Sequence, residues 1–173
     1  MNTRPCRQVL LFTRYPEPGR SKTRLIPALG RQGAALLQRR MTEHAVRTAR
    51  ETEAGVTVCF TGANRRPFRA WLGTDLRLEP QRGGDLGIRM QRGFEHAFRR
   101  GAARAVAAGT DIPSLSARLL REALDRLNRA DLVLGPAGDG GYYLIGMNRM
   151  HADLFRAMPW GTSRVRRATL CAA

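Results

Sequence analysis

The sequence predicts an α/β fold of three layers, α/β/α, around a mostly parallel sheet. Short apolar runs of strand length alternate with longer amphipathic segments along the 173 residues, as in chained βαβ units. No internal repeat or low-complexity linker interrupts this alternation, and 43% hydrophobic with 25% charged residues is ordinary for a globular chain. Residues 1–173 are therefore expected to form a single domain of doubly wound, Rossmann-like type.

The elements follow in order from apolar and β-branched runs and from helical spacing. Strands are predicted at 9–12, 56–60, 76–78 (the weakest), 105–108, 132–134 and 142–147. Helices are predicted within 31–53, 86–98, 119–127 and 163–173. Asp85 is the expected N-cap of the second helix, and Ser114 or Ser116 that of the third.

The formal net charge of +16 is unusual, and Lys22 is the one lysine among the 30 basic residues. Such a surface attracts polyanions or phosphorylated ligands. The arginines are spread over all predicted helices and only 6% of residues are aromatic, which does not favour a stacking platform for single strands. We therefore expect no specific nucleic-acid partner.

Nothing in the chain predicts a membrane association or export. No apolar run approaches about 18 residues, and residues 1–6 lack the apolar core of a signal peptide. The cysteines Cys6, Cys59 and Cys171 are scattered without metal-ligand spacing, which suits a reducing compartment. A cytoplasmic location is expected.

Three unusual loops each begin where a predicted strand ends: 13–24, 109–115 and 135–141. Ligands of open α/β sheets bind beyond the carboxyl ends of the strands. If these strands are parallel, the three loops converge on one binding site.

The first loop is basic and stiffened by prolines, and its candidate binding residues are Arg14, Gly19, Arg20, Lys22 and Arg24. Their side chains can donate charge-assisted hydrogen bonds to a diphosphate, with Gly19 allowing close backbone approach. The loop is not a Walker A motif, because Ser21 and Pro16 occupy the required glycine positions. A solvated proline-rich turn is the alternative.

The second and third loops each contain one acid among small residues. Gly109 and Thr110 are candidate binding residues, and Asp111 after them is suited to hold Mg²⁺ or Mn²⁺ against phosphate oxygens, or else to cap the next helix or turn. Asp139 precedes Gly140 and Gly141, where the backbone could approach a sugar closely, or where the chain simply forms a hairpin turn. The segment 81–87, with Gly84, opens a helix whose free N–H groups could face an anion.

Together these segments resemble a poorly characterised family of bacterial proteins in the GT-A nucleotide-diphospho-sugar transferase superfamily, some of them named as glycosyltransferases of arsenosugar biosynthesis. The matching stretches cover the chain almost end to end: 12–25, 81–90, 109–115, 135–146 and 159–163. The resemblance implies a GT-A fold. The superfamily also includes molybdopterin and phospholactate nucleotidyltransferases, whose first loop is similar.

The resemblance implies roles for the loops. The 14–24 loop, entered from Phe12, would hold nucleotide phosphates, Asp111 would bind the divalent metal, and Asp139 would lie by the sugar or acceptor as positioning group or general base. Ile112 and Ile88 depart from the family pattern, where a small polar residue and an acid are usual. The chain also ends at Ala173, before a strand and an acidic motif found in family members, so the usual C-terminal segment is expected to be missing. Weak turnover and self-association would follow.

Three functions fit these features. The first is a metal-dependent glycosyltransferase acting on a nucleotide-diphospho-sugar and a small acceptor. The second is a nucleotidyltransferase in which a phosphorylated small molecule attacks a nucleoside triphosphate. The third, of another class, is an inactive or nucleic-acid-binding basic module.

Overall fold

The computed structural model describes residues 6–173. Residues 1–5, on which most of the signal-peptide argument rests, lie outside the described residues. The elements are strands β1 (Arg7–Arg14), β2 (Gly55–Thr61), β3 (Arg77–Pro80), β4 (Arg104–Gly109), β5 (Leu132–Pro136) and β6 (Tyr142–Met147), and helices α1 (Ile26–Arg50), α2 (Arg65–Leu72), α3 (Leu86–Arg99), α4 (Ala117–Arg126) and α5 (Val165–Cys171). Short 3-10 turns lie at Thr23–Leu25 and Ala152–Phe155.

The six strands form one sheet in the order β3-β2-β1-β4-β6-β5. Strands β3, β2, β1 and β4 are parallel, whereas β6 pairs antiparallel with both β4 and β5, Leu144 lying opposite Ala108. The predicted mostly parallel sheet is therefore confirmed, and β5 runs in the same direction as β1 and β4. The loops after β1, β4 and β5 consequently share one edge of the sheet, as the sequence predicted.

Side chains alternate between two apolar layers, because successive residues of a strand point to opposite faces. Leu11 of β1 and Val58 of β2 pack under α1, α2 and α4, whereas Leu10 and Cys59 pack under α3 and the 152–155 turn. The three-layer α/β/α architecture is thus confirmed. No helix within residues 6–173 has the length and apolarity to cross a membrane.

Two helices differ from the prediction. Helix α2 was not predicted, because it has only eight residues, too few to show a period; Asn64 caps it by accepting a hydrogen bond from the Arg66 N–H at 3.1 Å. Helix α1 begins at Ile26, five residues early, with a proline in its first turn and a kink at Gly30, where φ is 69°.

Helices α3 and α4 both have side-chain N-caps at predicted positions. Asp85 caps α3, as predicted, accepting from the Ile88 N–H at 2.9 Å. Ser116, rather than Ser114, caps α4, accepting from the Leu119 N–H at 3.2 Å.

Candidate functional site

The loop between β1 and α1 is held in place by its own contacts. The Tyr15 N–H donates to the Thr61 carbonyl at 2.8 Å, and the Tyr15 ring packs edge-on against Phe68 and Trp71 with centroids 5.3 and 6.0 Å apart. The buried Ser21 hydroxyl donates to the Tyr15 carbonyl at 2.8 Å and accepts from the Glu17 N–H at 3.0 Å. The loop is therefore preorganised, which argues against a merely solvated turn.

Lys22 and Asp111, from different loops, meet at the carboxyl edge of the sheet. The Lys22 Nζ lies 2.7 Å from the Asp111 Oδ1, and the lysine side chain is 12% exposed whereas the aspartate is 64% exposed. Lys22 has a left-handed backbone, with φ 48° and ψ 45°. Since Ser116 caps the next helix, Asp111 is not a helix cap but the partner of the lysine.

The other basic residues of the first loop differ in their ion pairing. Arg20 is weakly paired with Glu17, with Nη1 and Oε2 3.6 Å apart and a side chain that is 69% exposed. Arg14 and Arg24 are exposed and form no ion pair with any residue of the described chain. Gly19 has φ 81°, so the turn uses the conformational freedom predicted for it.

A buried polar network, not predicted from the sequence, lies under the Lys22–Asp111 pair. The Thr13 hydroxyl contacts the Thr42 hydroxyl at 2.8 Å and accepts from Gln38 Nε2 and from the Thr110 hydroxyl, each at 3.1 Å. All four side chains are at most 5% exposed. Thr13 precedes the basic loop and Thr110 precedes Asp111, so the network joins the bases of both loops to α1.

Gln81 ties three strand ends together at the same edge. Its Nε2 donates to the Cys59 carbonyl at 2.7 Å and to the Thr13 carbonyl at 3.2 Å. Beyond it the chain turns through Gly84, with φ 82°, into helix α3. The first turn of α3 therefore opens at the edge that carries the three loops.

The third loop is a tight turn between β5 and β6. Asp139 Oδ1 accepts from the Gly141 N–H at 2.9 Å, and the Ala137 N–H donates to the Gly141 carbonyl at 3.1 Å. Gly140, with φ 85°, packs against the backbone of Ser163. The predicted hairpin turn is present, and it brings Gly141 next to the end of β4 while Asp139 stays exposed. Within residues 6–173 no hydrogen bond or ion pair joins Asp139 to Lys22 or Asp111.

Two of the remaining candidates shape the site from below. Phe12 is half-buried in the apolar layer under α3, its ring tip against Gly93. Gly109 ends β4 in register with Phe12 and has open space beside it up to the backbone of Asp111. These residues set the floor of the site and present no polar side chain to a ligand.

The acids near the carboxyl edge of the sheet determine how a divalent cation could be bound there. No group of three or more His, Cys, Asp or Glu side chains that could hold a metal occurs in the part of the chain that the structure describes. Mg²⁺, however, is commonly bound by one or two carboxylates together with substrate phosphates and water. Asp111 therefore fits a cation shared with a phosphorylated ligand, whereas the carboxylate alone would bind one only weakly.

Several solved structures are similar to the chain. A protein from Desulfovibrio desulfuricans G20, provisionally named a nucleotide-diphospho-sugar transferase, superimposes with a TM-score of 0.91 at 35% identity, over 96% of this chain and 74% of that one. A Methanothermobacter nucleotidyl transferase has a TM-score of 0.61 at 19% identity, over 94% and 80% of the two chains. The 4-diphosphocytidyl-2C-methyl-D-erythritol synthase of Anaerococcus prevotii has a TM-score of 0.54 at 10% identity, over 78% and 57%. The last two show likeness of fold alone.

A comparison with curated proteins finds no match. A family model described as "Uncharacterized protein conserved in bacteria (DUF2064)" matches residues 29–162, which include Asp111, Asp139 and most of α1. This match spans well over half of the chain, and the fold is that of the nucleotide-diphospho-sugar transferases. The chain therefore belongs to the bacterial DUF2064 family and has a transferase fold.

Proposed function

We propose that this protein is a metal-dependent glycosyltransferase that binds a nucleotide-diphospho-sugar and transfers the sugar to a small acceptor. The observation that carries the proposal is the meeting of Lys22 and Asp111 at the carboxyl edge of the sheet, their Nζ and Oδ1 atoms 2.7 Å apart. A cation and an acid at this edge are what binding of a diphosphate with its counter-ion needs. The 35% identity to the Desulfovibrio protein supports the same class of ligand.

Each loop has a role in the proposed reaction. Lys22 and the exposed Arg14 and Arg24 would donate hydrogen bonds to the phosphates and stabilise the diphosphate as it leaves the anomeric carbon. Mg²⁺ or Mn²⁺, bound by Asp111 with the phosphates, would supply further neutralisation of that charge. Asp139 would orient the acceptor hydroxyl or accept its proton, since its exposed carboxylate has one oxygen engaged by Gly141.

A thermal-shift panel tests this proposal. The ligands are nucleoside diphosphates of each base, their sugar conjugates and the triphosphates, each with Mn²⁺ and with chelator. A diphosphate or its sugar at about a hundred times its Kd should stabilise the fold by about 2.7 kcal/mol, or about 5–10 °C for a chain of this size.

The panel also separates the alternatives. Stabilisation by triphosphates alone would support nucleotidyl transfer instead. Stabilisation by oligonucleotide alone would support a nucleic-acid-binding module. Either of these two results would contradict the glycosyltransferase proposal.

A further inference from the structure

The ion pair at the centre of the site joins the two side chains that the proposed function needs separately. Lys22 is the proposed phosphate ligand and Asp111 the proposed metal ligand, yet each neutralises the other at 2.7 Å. Resting on the proposed function, we propose that this pair makes metal binding depend on nucleotide binding. Without nucleotide, the Lys22 ammonium group is paired with the Asp111 carboxylate. A bound diphosphate would draw the ammonium group away from that carboxylate.

Electrostatics disfavours metal binding to the free protein. A divalent cation approaching Asp111 meets a carboxylate already neutralised by an ammonium group, and that ammonium repels it at close range. The surroundings add positive charge, because Arg14 and Arg24 carry no ion pair within residues 6–173 and the whole chain has a net charge of +16. Within residues 6–173 Asp111 is not part of any group of three or more His, Cys, Asp or Glu side chains that could hold a metal, so no such cluster compensates the repulsion.

The structure also indicates which partner moves. Asp111 directly follows Thr110, which is 3% exposed and hydrogen-bonded to Thr13 in the buried network. Its backbone is therefore fixed relative to β1 and α1. Lys22 has a flexible four-carbon stem whose rotation can carry the ammonium group several ångströms without moving the loop.

A diphosphate is a stronger partner for the ammonium than one carboxylate, because it brings more charge and several acceptor oxygens. Once the Lys22 ammonium has turned to the phosphate, the 64% exposed carboxylate of Asp111 is available to a cation that also binds the phosphate oxygens. Nucleotide and metal then increase each other's affinity, as thermodynamic linkage requires.

The first test uses the Mn²⁺ electron paramagnetic resonance signal, which disappears when the ion is bound. With MnCl₂ alone the wild-type protein should leave the signal unchanged up to millimolar protein. With the nucleoside diphosphate selected by the thermal-shift panel present, it should reduce the signal below that of Mn²⁺ with nucleotide alone. Lys22→Met removes the ammonium and keeps the apolar stem, and should bind Mn²⁺ without nucleotide at least fivefold more tightly than the wild type.

The second test measures nucleotide affinity with chelator, by titration calorimetry. Asp111→Asn should bind the diphosphate three- to tenfold more tightly than the wild type without metal, because the ammonium no longer has a competing anion. It should also lose the enhancement by Mn²⁺. Asp153→Asn is the matched control, since it removes one exposed acid that is paired with Arg156 instead, and should change neither quantity.

The outcomes separate this inference from the proposed function. If no nucleotide or nucleotide-sugar binds, with or without metal, the proposed function is wrong and the inference is lost with it. If nucleotide binds but Mn²⁺ binds the wild-type protein equally well without it, the inference alone is overturned. An unchanged metal-free affinity of Asp111→Asn overturns it in the same way.

Discussion

Lys22 combines a left-handed backbone, a side chain only 12% exposed and an ammonium group 2.7 Å from a carboxylate. A non-glycine residue in this conformation carries a cost of about 1–2 kcal/mol, which the contacts of the surrounding loop must offset. Such strain is found where a side chain must be aimed. The loop contacts of Tyr15 and Ser21 help to hold this backbone in place.

Lys22→Ala is expected to weaken binding of the nucleoside diphosphate by about 1.5–3 kcal/mol, the value of a charge-assisted hydrogen bond. Titration calorimetry in the presence of Mn²⁺ measures it. Arg47→Ala is the control, because Arg47 is exposed near the end of α1 that points away from the loops and has the same charge. An equal loss in both variants would mean that overall charge, and no specific contact, binds the phosphates.

The three thiols should differ in reactivity. Burial raises the pKa of Cys59 to about 12, with a smaller contribution from Glu79, whereas Cys6 and Cys171 are exposed. At pH 8 the thiolate fraction of Cys59 is then about a thousandfold below that of an ordinary cysteine. Ellman's reagent should modify two thiols quickly in the native protein and the third only after unfolding. Rapid modification of all three thiols in the native protein would contradict this. In the Cys6→Ala variant, rapid modification of two thiols instead of one would contradict it as well.

At the scale of elements, what the sequence could predict depended on length and on residue type. The long helix α1 was evident from its apolar period, but its buried face includes Gln38 and Thr42, which a search for apolar positions passes over. Their signal was present, since both lie at helical spacing from the buried Ala34 and Ala45. Helix α2 gave no such signal in eight residues. Propensity and periodicity find apolar faces and miss polar side chains that are buried because they bond each other.

The buried network should contribute to both stability and binding. Thr42→Val keeps the shape of the side chain and removes the hydroxyl that Thr13 contacts and that donates to the Gln38 carbonyl at 3.0 Å. We expect a loss of about 1–3 kcal/mol in the free energy of unfolding, because buried partners are left unsatisfied. Urea denaturation measures it, and Thr42→Ser should recover most of the loss. Equal destabilisation by Ser and Val would show that the methyl group matters and the hydroxyl does not.

The turn between β5 and β6 offers a matched pair of glycines. A Cβ on Gly140 would collide with the backbone of Ser163 at a residue with φ 85°, whereas a Cβ on Gly138 meets no atom within 4 Å. Gly140→Ala should therefore lower the free energy of unfolding by at least about 1–2 kcal/mol and loosen the segment before α5. Gly138→Ala should be within about 0.5 kcal/mol of the wild type. Thermal unfolding of the two variants side by side would contradict the packing argument if their midpoints agreed.

At the scale of the whole molecule, the convergence of the three loops was predictable because it follows from the sheet topology. Loops that follow parallel strands must meet at one edge, and this brings Lys22 and Asp111 into contact from positions 89 residues apart in the sequence. The sequence did not show by strand patterning that β6 is reversed, since patterning carries no direction; only the possible hairpin turn at 135–141 indicated it. Nor did it show the ion pair itself, because contact between two loops is decided by their packing against the rest of the molecule.

The net charge of +16 is also a property of the whole molecule. Many of the 14 acids are committed to local ion pairs on the surface, such as Arg50–Asp75, Arg126–Glu122 and Arg149–Asp131, which leaves a large excess of arginine on all helices. This excess is diffuse. It lies on both faces of the sheet, since α1, α2 and α4 cover one face and α3 the other.

Binding to duplex DNA should therefore discriminate little between sequences, and its affinity should fall steeply with salt concentration. Diffuse arginines contact phosphates without reading bases, and each neutralised phosphate adds about −0.9 to the slope of log K against log salt. Fluorescence anisotropy with two duplexes of equal length and unrelated sequence should give equal affinities, falling about a hundredfold or more between 50 and 200 mM salt. The affinity for the nucleoside diphosphate, titrated over the same salt range, should fall far less. The diphosphate makes few contacts, and these lie in a preformed site. A duplex that is bound selectively at physiological salt, more tightly than the nucleotide, would show that the basic surface is the functional one and the loop edge is not.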